Sequence, residues 1–148
     1  MIRNWRYCGE QESVEGLFIS KGQFIMLTMQ NSEKLAVLCY NADKLTKELF
    51  FSCGVSENFY SRCIIRGVSK ENEFSNIVKD QGHYNISKAR AELVSISEDI
   101  ISENKDVGAF LIECTDMPAH AAAIQKAVNL PVFDPTIMLK FLHGVVNC

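Results

Sequence analysis

The sequence predicts an α/β fold, a three-layer sandwich with a mainly parallel sheet of about four strands. Short apolar runs of strand length alternate along the chain with longer segments of helical period. The apolar runs are continuous, which is typical of strands that are buried on both faces. Strands that alternate with helices in this way form parallel sheets covered by helices.

The length and composition of the chain fit one domain with a core of ordinary size. It has 148 residues, of which 47% are hydrophobic and 22% charged. We expect residues 1–15 to form an irregular N-terminal segment and residues 16–148 to form the α/β domain. Residues 135–148 are expected to form a C-terminal helix that packs on another domain or subunit.

Each predicted element has its own local signal. Apolar runs bounded by polar or turn residues predict strands at 16–20, 34–40, 62–68, 107–113 and 130–134. Apolar residues at helical spacing predict the helices, and the helix at 41–54 also has an Asn/Asp start and a Gly stop. The helices cover 23–31, 41–54, 70–82, 86–105, 118–129 and 135–146. For the helix at 118–129, Asp116 is the expected cap and Pro118 stands in the first turn.

Composition excludes several classes of function. The formal net charge is -3, so the chain lacks the basic surface of a nucleic-acid-binding protein. No apolar run reaches the roughly 18 residues that a membrane span requires. The six cysteines form no CxxC pair, and the histidines stand far from them, so we expect no metal site. Reduced, mostly buried thiols favour a cytoplasmic location.

Two predicted strands end in polar clusters, at 39–41 and at 113–115. Ligands of open α/β sheets bind outside the carboxyl ends of the strands. Cys114 also stands just before a predicted helix, whose N–H groups favour a thiolate and a bound carboxylate. We therefore expect a lowered pKa at Cys114, a role as general acid/base or nucleophile, and a donor at Thr115. The alternative is a buried cysteine with polar neighbours.

A longer stretch resembles a known family. The segment "DVGAFLIECTDMPAHAAAIQKAVNLPVFDPTIMLKFLH" is similar to the C-terminal signature of the aspartate/glutamate racemase superfamily. The segments "KLAVLCYNADKLTKELF" and "GLFISKGQFIMLTM" resemble the parts of that family which come before it. Members of the superfamily have two α/β domains and use one cysteine from each, without a cofactor. This chain is shorter at its N-terminal side.

The resemblance implies an amino-acid racemase-like enzyme with a small carboxylate or acidic amino acid as substrate. Cys114 would be one acid/base, and Cys8 in "RYCGEQ" is the candidate for the second. Thr115, Asn41 and Glu113 would bind substrate. The alternative is a catalytically silent, truncated relative that binds a small carboxylate or assembles with another protein.

The C-terminal helix also predicts association of the chain. Its sequence, "PTIMLKFLHGVV", is apolar nearly all round, and it loses its shelter if a first domain is missing. The segment "QFIMLTM" poses the same problem at the other end of the chain. We expect a homodimer or a higher oligomer that buries both segments.

Overall fold

The computed structural model describes residues 25–70, 72–78 and 84–146. The strands are β1 (Lys34–Cys39), β2 (Cys63–Gly67), β3 (Val107–Ile112) and β4 (Val132–Phe133). The helices are α1 (Lys47–Ser52), α2 (Glu57–Tyr60), α3 (Asn72–Val78), α4 (Ile86–Glu103), α5 (Ala121–Val128) and α6 (Pro135–Val146). The predicted N-terminal segment 1–15 and the predicted strand 16–20 lie outside the described residues.

The four strands form one parallel sheet in the order β2-β1-β3-β4. β1 therefore lies between β2 and β3, and in register with both. Leu38, for example, is the partner of Arg66 on β2 and of Ile112 on β3. The predicted fold class, an α/β sandwich with a parallel sheet of about four strands, is confirmed.

The two faces of the sheet bury alternate residues of the same strands, which gives two separate hydrophobic cores. On one face, Leu38 and Ile112 pack with side chains of α3, α4 and α5 such as Phe74 and Leu93. On the other face, Val37 and its neighbours pack with α1 and α2 and with Ile25 and Met26. Because both faces are covered, the strands can be apolar throughout, as the sequence indicated.

The predicted helix over 41–54 is divided in two. Asn41 caps a single 3-10 turn, Ala42–Lys44, by accepting a hydrogen bond from the N–H of Asp43. Thr46 then starts α1 by accepting from the N–H of Leu49. Thr46 has the extended backbone of an N-cap residue, so the turn that begins at Asn41 cannot continue through it as one helix. The segment therefore forms two short elements.

The helix α6 exposes most of its apolar side chains. Leu139, Phe141 and Val145 are each more than half exposed, and Phe141 reaches 65%. This matches the apolar surface that the sequence predicts for this segment, whereas the predicted packing on another domain or subunit stays a prediction. Within the described ranges, no helix combines the length and the apolarity that crossing a membrane requires.

Gly67, the last residue of β2, allows the loop after β1 to pass close by. A Cβ atom at this position would lie 2.6 Å from the backbone nitrogen of Ala42 and 3.3 Å from the carbonyl oxygen of Tyr40. Both neighbours are backbone atoms, which cannot move away as a flexible side chain would. Because Gly67 has no side chain, residues 40–42 can pack closely against the end of the sheet.

Replacement Gly67→Ala is expected to lower the free energy of unfolding by about 1–3 kcal/mol, because the new methyl group overpacks this contact. Urea unfolding followed by circular dichroism measures the change. The matched control is Gly144→Ala on α6, where a Cβ atom meets nothing within 4 Å; this change is expected to leave stability equal or raised. Equal midpoints for the unsubstituted chain and Gly67→Ala would contradict the prediction.

Candidate functional site

The strand order predicts a ligand crevice at the carboxyl ends of the described sheet. From β1 the chain moves to β2 on one side, and it then returns to β3 on the other side. Ligands of doubly wound sheets bind where the direction of strand addition reverses, and here that point lies between β1 and β3. The residues that follow these two strands are Tyr40 and Asn41 after β1, and Glu113 and Cys114 after β3.

The parallel pairing continues past the end of β3 and fixes this crevice. The N–H of Glu113 donates to the carbonyl oxygen of Leu38 at 2.8 Å. On the other side, the N–H of Val68 donates to the carbonyl oxygen of Tyr40 at 3.0 Å. The two polar clusters that the sequence singled out are thereby brought side by side.

Cys114 is half-buried at this edge. Its side chain packs against the core cluster that lies between the sheet and α3, α4 and α5. The backbone N–H groups of Asp116 and Met117 act as hydrogen-bond donors toward the sulfur. The N–H of Met117 also lies 3.3 Å from the carbonyl oxygen of Cys114, which closes a turn around the thiol.

The expected lowering of the thiol pKa is wrong. Burial raises the pKa of Cys114 to about 11, and the negative charges of Asp116 and Glu113 act in the same direction. The two N–H donors lower the pKa but do not outweigh burial. The helix contributes less than expected because α5 begins only at Ala121, and helix-dipole effects fade within one turn.

The predicted cap at Asp116 is also wrong. The chain forms a 3-10 turn, Pro118–His120, before α5, and the cap position of that turn is occupied by Met117, without a side-chain hydrogen bond. Pro118 does stand in the first turn, as predicted. Asp116 is therefore left as an exposed carboxylate beside the thiol.

The other predicted site residues lie around the same edge. Thr115 is exposed in the turn after Cys114. Asn41 is partly buried, and its Oδ1 atom accepts from the N–H of Asp43 at 3.0 Å, so the NH2 end of the side chain is the end it can offer to a ligand. Glu113 is 5% exposed. Their roles in binding stay predictions, and Cys8 lies outside the described residues.

His120 is a buried histidine that packs within the core. It is 0% exposed, and its ring meets the ring of Phe74 edge-on at 6.4 Å. Burial, together with the charge of Arg90, lowers the pKa of His120, so the ring is neutral at pH 7. Within 25–70, 72–78 and 84–146, no three His, Cys, Asp or Glu side chains gather in an arrangement that could hold a metal ion.

Tyr40 is a residue at this site to which the sequence assigned no role. Leu38 and Ile112 are partners across β1 and β3, so Tyr40 and Cys114, each two residues further on, point to the same face of the sheet. Both side chains pack against the same core cluster. The alternation of side chains along each strand indicates which face each residue occupies, but only the pairing of β1 with β3 shows that the two residues share a face.

A separate surface depression of about 570 Å³ lies along α6, where Leu139, Lys140 and His143 are among the lining residues. None of the predicted site residues lines it. It is lined by residues of that helix alone, so we assign it no part in the thiol chemistry.

Alkylation of Cys114 by iodoacetamide is expected to be slow at pH 7 and to accelerate about tenfold per pH unit up to pH 10. The reason is that the thiolate reacts, and a pKa of about 11 leaves about one thiol in 10⁴ ionised at pH 7. Mass spectrometry of the Cys114 peptide measures the rate. A rate that levels off below pH 8 would show that the thiol is acidic.

Curated proteins to which the chain is similar are named dimethylsulfoniopropionate lyases. The chain is 25% identical over 84 residues to dimethylsulfoniopropionate lyase 5 of Emiliania huxleyi, which is 57% of this chain and 16% of that protein. It is 26% identical over 106 residues to a dimethylsulfoniopropionate lyase of Durusdinium sp. clade D, covering 71% and 33%. It is 28% identical over 109 residues to dimethylsulfoniopropionate lyase 6 of Emiliania huxleyi, covering 69% and 28%.

The chain thus spans a third or less of the length of these relatives. No protein-family model matches it, and neither does any solved structure. The interpretation of the sequence as an aspartate/glutamate racemase is corrected by these matches, because the relatives are named for a lyase activity and not for an isomerase activity. The alternative, a silent truncated member of the racemase family, is not supported by them either.

Proposed function

We propose that the chain is a lyase-like unit that binds dimethylsulfoniopropionate in the crevice between β1 and β3 and uses Cys114 as the base for its elimination. The observation that carries the proposal is the position of Cys114 at the reversal point of the sheet, with two backbone N–H groups directed at its sulfur. The names of the relatives supply the substrate.

The chemistry of that substrate requires one base and one good leaving group. The base takes a proton from the carbon next to the carboxylate. The electron pair of that C–H bond forms a double bond to the next carbon, and the carbon–sulfur bond breaks toward the sulfonium. Neutral dimethyl sulfide leaves, acrylate remains, and the proton stays on the base.

The raised pKa of Cys114 is compatible with this role. The thiolate of a cysteine with a pKa of about 11 is a stronger base than an ordinary thiolate, although little of it is present at neutral pH. A positive charge within about 4–6 Å favours the thiolate. A bound sulfonium would therefore ionise Cys114 when substrate is present, and the empty site would keep a protonated, poorly reactive sulfur.

Two polar side chains are available for the carboxylate of the substrate. The NH2 end of Asn41 and the hydroxyl of Thr115 are both donors at the carboxyl edge of the sheet. Hydrogen bonds to that carboxylate stabilise the charge that develops when the neighbouring proton is removed. We propose that these two residues orient the substrate.

The test is release of dimethyl sulfide from dimethylsulfoniopropionate by the purified chain, measured by gas chromatography of the headspace, with acrylate followed by NMR. Cys114→Ser is expected to reduce kcat/KM by about 10²–10⁴-fold, the usual contribution of a general base. The rate of the unsubstituted chain is expected to rise with pH between 7 and 10, because the thiol must lose its proton first.

Cys63→Ser is the matched control. Cys63 begins β2 at the opposite end of the sheet, where its thiol donates to the carbonyl oxygen of Phe59 at 3.5 Å. This variant is expected to retain full activity. If the unsubstituted chain releases no dimethyl sulfide, the proposal is wrong, and if Cys114→Ser is as active as Cys63→Ser, the base is another group.

We also propose that a second copy of the chain covers the exposed face of α6. Five large apolar side chains lie exposed on this helix, namely Ile137, Leu139, Phe141, Val145 and Val146. If each contributes about 100 Å², two copies bring on the order of 1,000 Å² together, the lower bound for a specific interface. The only formally charged side chain in the helix is Lys140, so little charge would be buried.

Size-exclusion chromatography with light scattering is expected to give at least twice the 16.7 kDa of one chain at micromolar concentration. The double variant Leu139→Glu, Phe141→Glu is expected to give one chain, because it places like charges in the contact. Leu27→Glu is the control, since Leu27 is 82% exposed but lies outside α6. A monomeric unsubstituted chain would refute the association.

A further inference from the structure

We infer that Tyr40 determines the specificity of the Cys114 site by placing its aromatic ring against a positively charged sulfonium group. The inference rests on the proposed function. It names the residue that makes the site prefer a carboxylate ligand with a sulfonium group over one of the same shape without that charge. The backbone positions, the packing and the charges around the thiol carry it.

The backbone places Tyr40 beside Cys114. Leu38 and Ile112 are partners in the parallel pairing of β1 with β3, and the N–H of Glu113 extends that pairing by its bond to the carbonyl oxygen of Leu38. Neighbouring strands run about 4.8 Å apart, and every second residue points to the same face. Tyr40 and Cys114 therefore leave the sheet next to each other.

The packing keeps the ring at the edge of the crevice. Tyr40 is half-buried against the core cluster on the α3, α4 and α5 face, as Cys114 is. The backbone of Tyr40 is held by the N–H of Val68 and by the close approach of Gly67. A ring that is fixed in this way loses little conformational freedom when a ligand binds.

The charges around the thiol favour a cation. Asp116 and Glu113 are the charged groups that act on Cys114, and both are negative. Asp116 is exposed in the turn that follows Cys114. An aromatic face beside carboxylates attracts an onium group, and this attraction is worth about 0.5–2 kcal/mol, or roughly 2–30-fold in affinity.

The test compares dimethylsulfoniopropionate with 4-methylpentanoate, which has the same shape but a neutral carbon in place of the sulfonium. Each compound is titrated against alkylation of Cys114 by iodoacetamide at pH 9, with mass spectrometry as the readout, over an interval in which headspace gas chromatography detects no significant release of dimethyl sulfide. In the unsubstituted chain, dimethylsulfoniopropionate is expected to protect at concentrations at least threefold lower than those of 4-methylpentanoate.

Two variants isolate the ring. Tyr40→Phe keeps an aromatic face and is expected to retain the preference for the sulfonium. Tyr40→Leu keeps apolar bulk without the π face, so its preference for the sulfonium is expected to fall by the roughly 2–30-fold that the aromatic contact contributes, while protection by 4-methylpentanoate stays unchanged. Circular dichroism melting curves check that both variants are folded.

A second measurement does not depend on the Leu variant. The S-methyl protons of dimethylsulfoniopropionate are expected to move upfield in NMR titrations with the unsubstituted chain, because they lie over an aromatic face. Protection of Cys114 without such a shift overturns the role of Tyr40.

The remaining outcomes separate the two proposals. If dimethylsulfoniopropionate protects Cys114 and its preference survives in Tyr40→Leu, the inference about Tyr40 is wrong and the proposed function stands. If neither compound protects Cys114 in the unsubstituted chain, the proposed function fails, and the inference fails with it.

Discussion

The parallel pairing of β1 with β3 is the constraint on which the candidate site depends. Its register joins Leu38 to Ile112, and the bond from the N–H of Glu113 to the carbonyl oxygen of Leu38 carries it beyond the strand end. That pairing makes the reversal point of the sheet, aligns Tyr40 with Cys114 and separates the two cores. A shift of one residue would turn Cys114 to the other face.

The same pairing explains why the thiol is only half-buried. Cys114 continues the set of residues that faces α3, α4 and α5, so its side chain enters the end of that core instead of open solvent. Desolvation then raises the pKa of the thiol above its ordinary value, against the two N–H donors. The thiol is therefore protonated at neutral pH, with the carboxylates of Asp116 and Glu113 as its charged neighbours.

Much of the fold could be predicted from local sequence. The runs at 34–40, 62–68, 107–113 and 130–134 each contain an observed strand, because continuous apolar runs of that length are buried on both faces. The helix over 41–54 was predicted as one element and is two, since the caps at Asn41 and Thr46 compete with helix continuation. The family could not be predicted from these residue patterns, which resemble those of racemases, whereas the relatives that match are named as lyases.

The sequence alone determined that Cys114 follows a buried strand and that Asn41 and Thr115 stand at the carboxyl ends of predicted strands, because periodicity and turn residues are local properties. The tertiary structure alone decided which strand lies beside which, and therefore that Tyr40 and Cys114 follow paired strand positions on the same face of the sheet. It also reversed the expected direction of the pKa of Cys114. Register and burial both depend on contacts between residues far apart in the chain, and no local pattern encodes them.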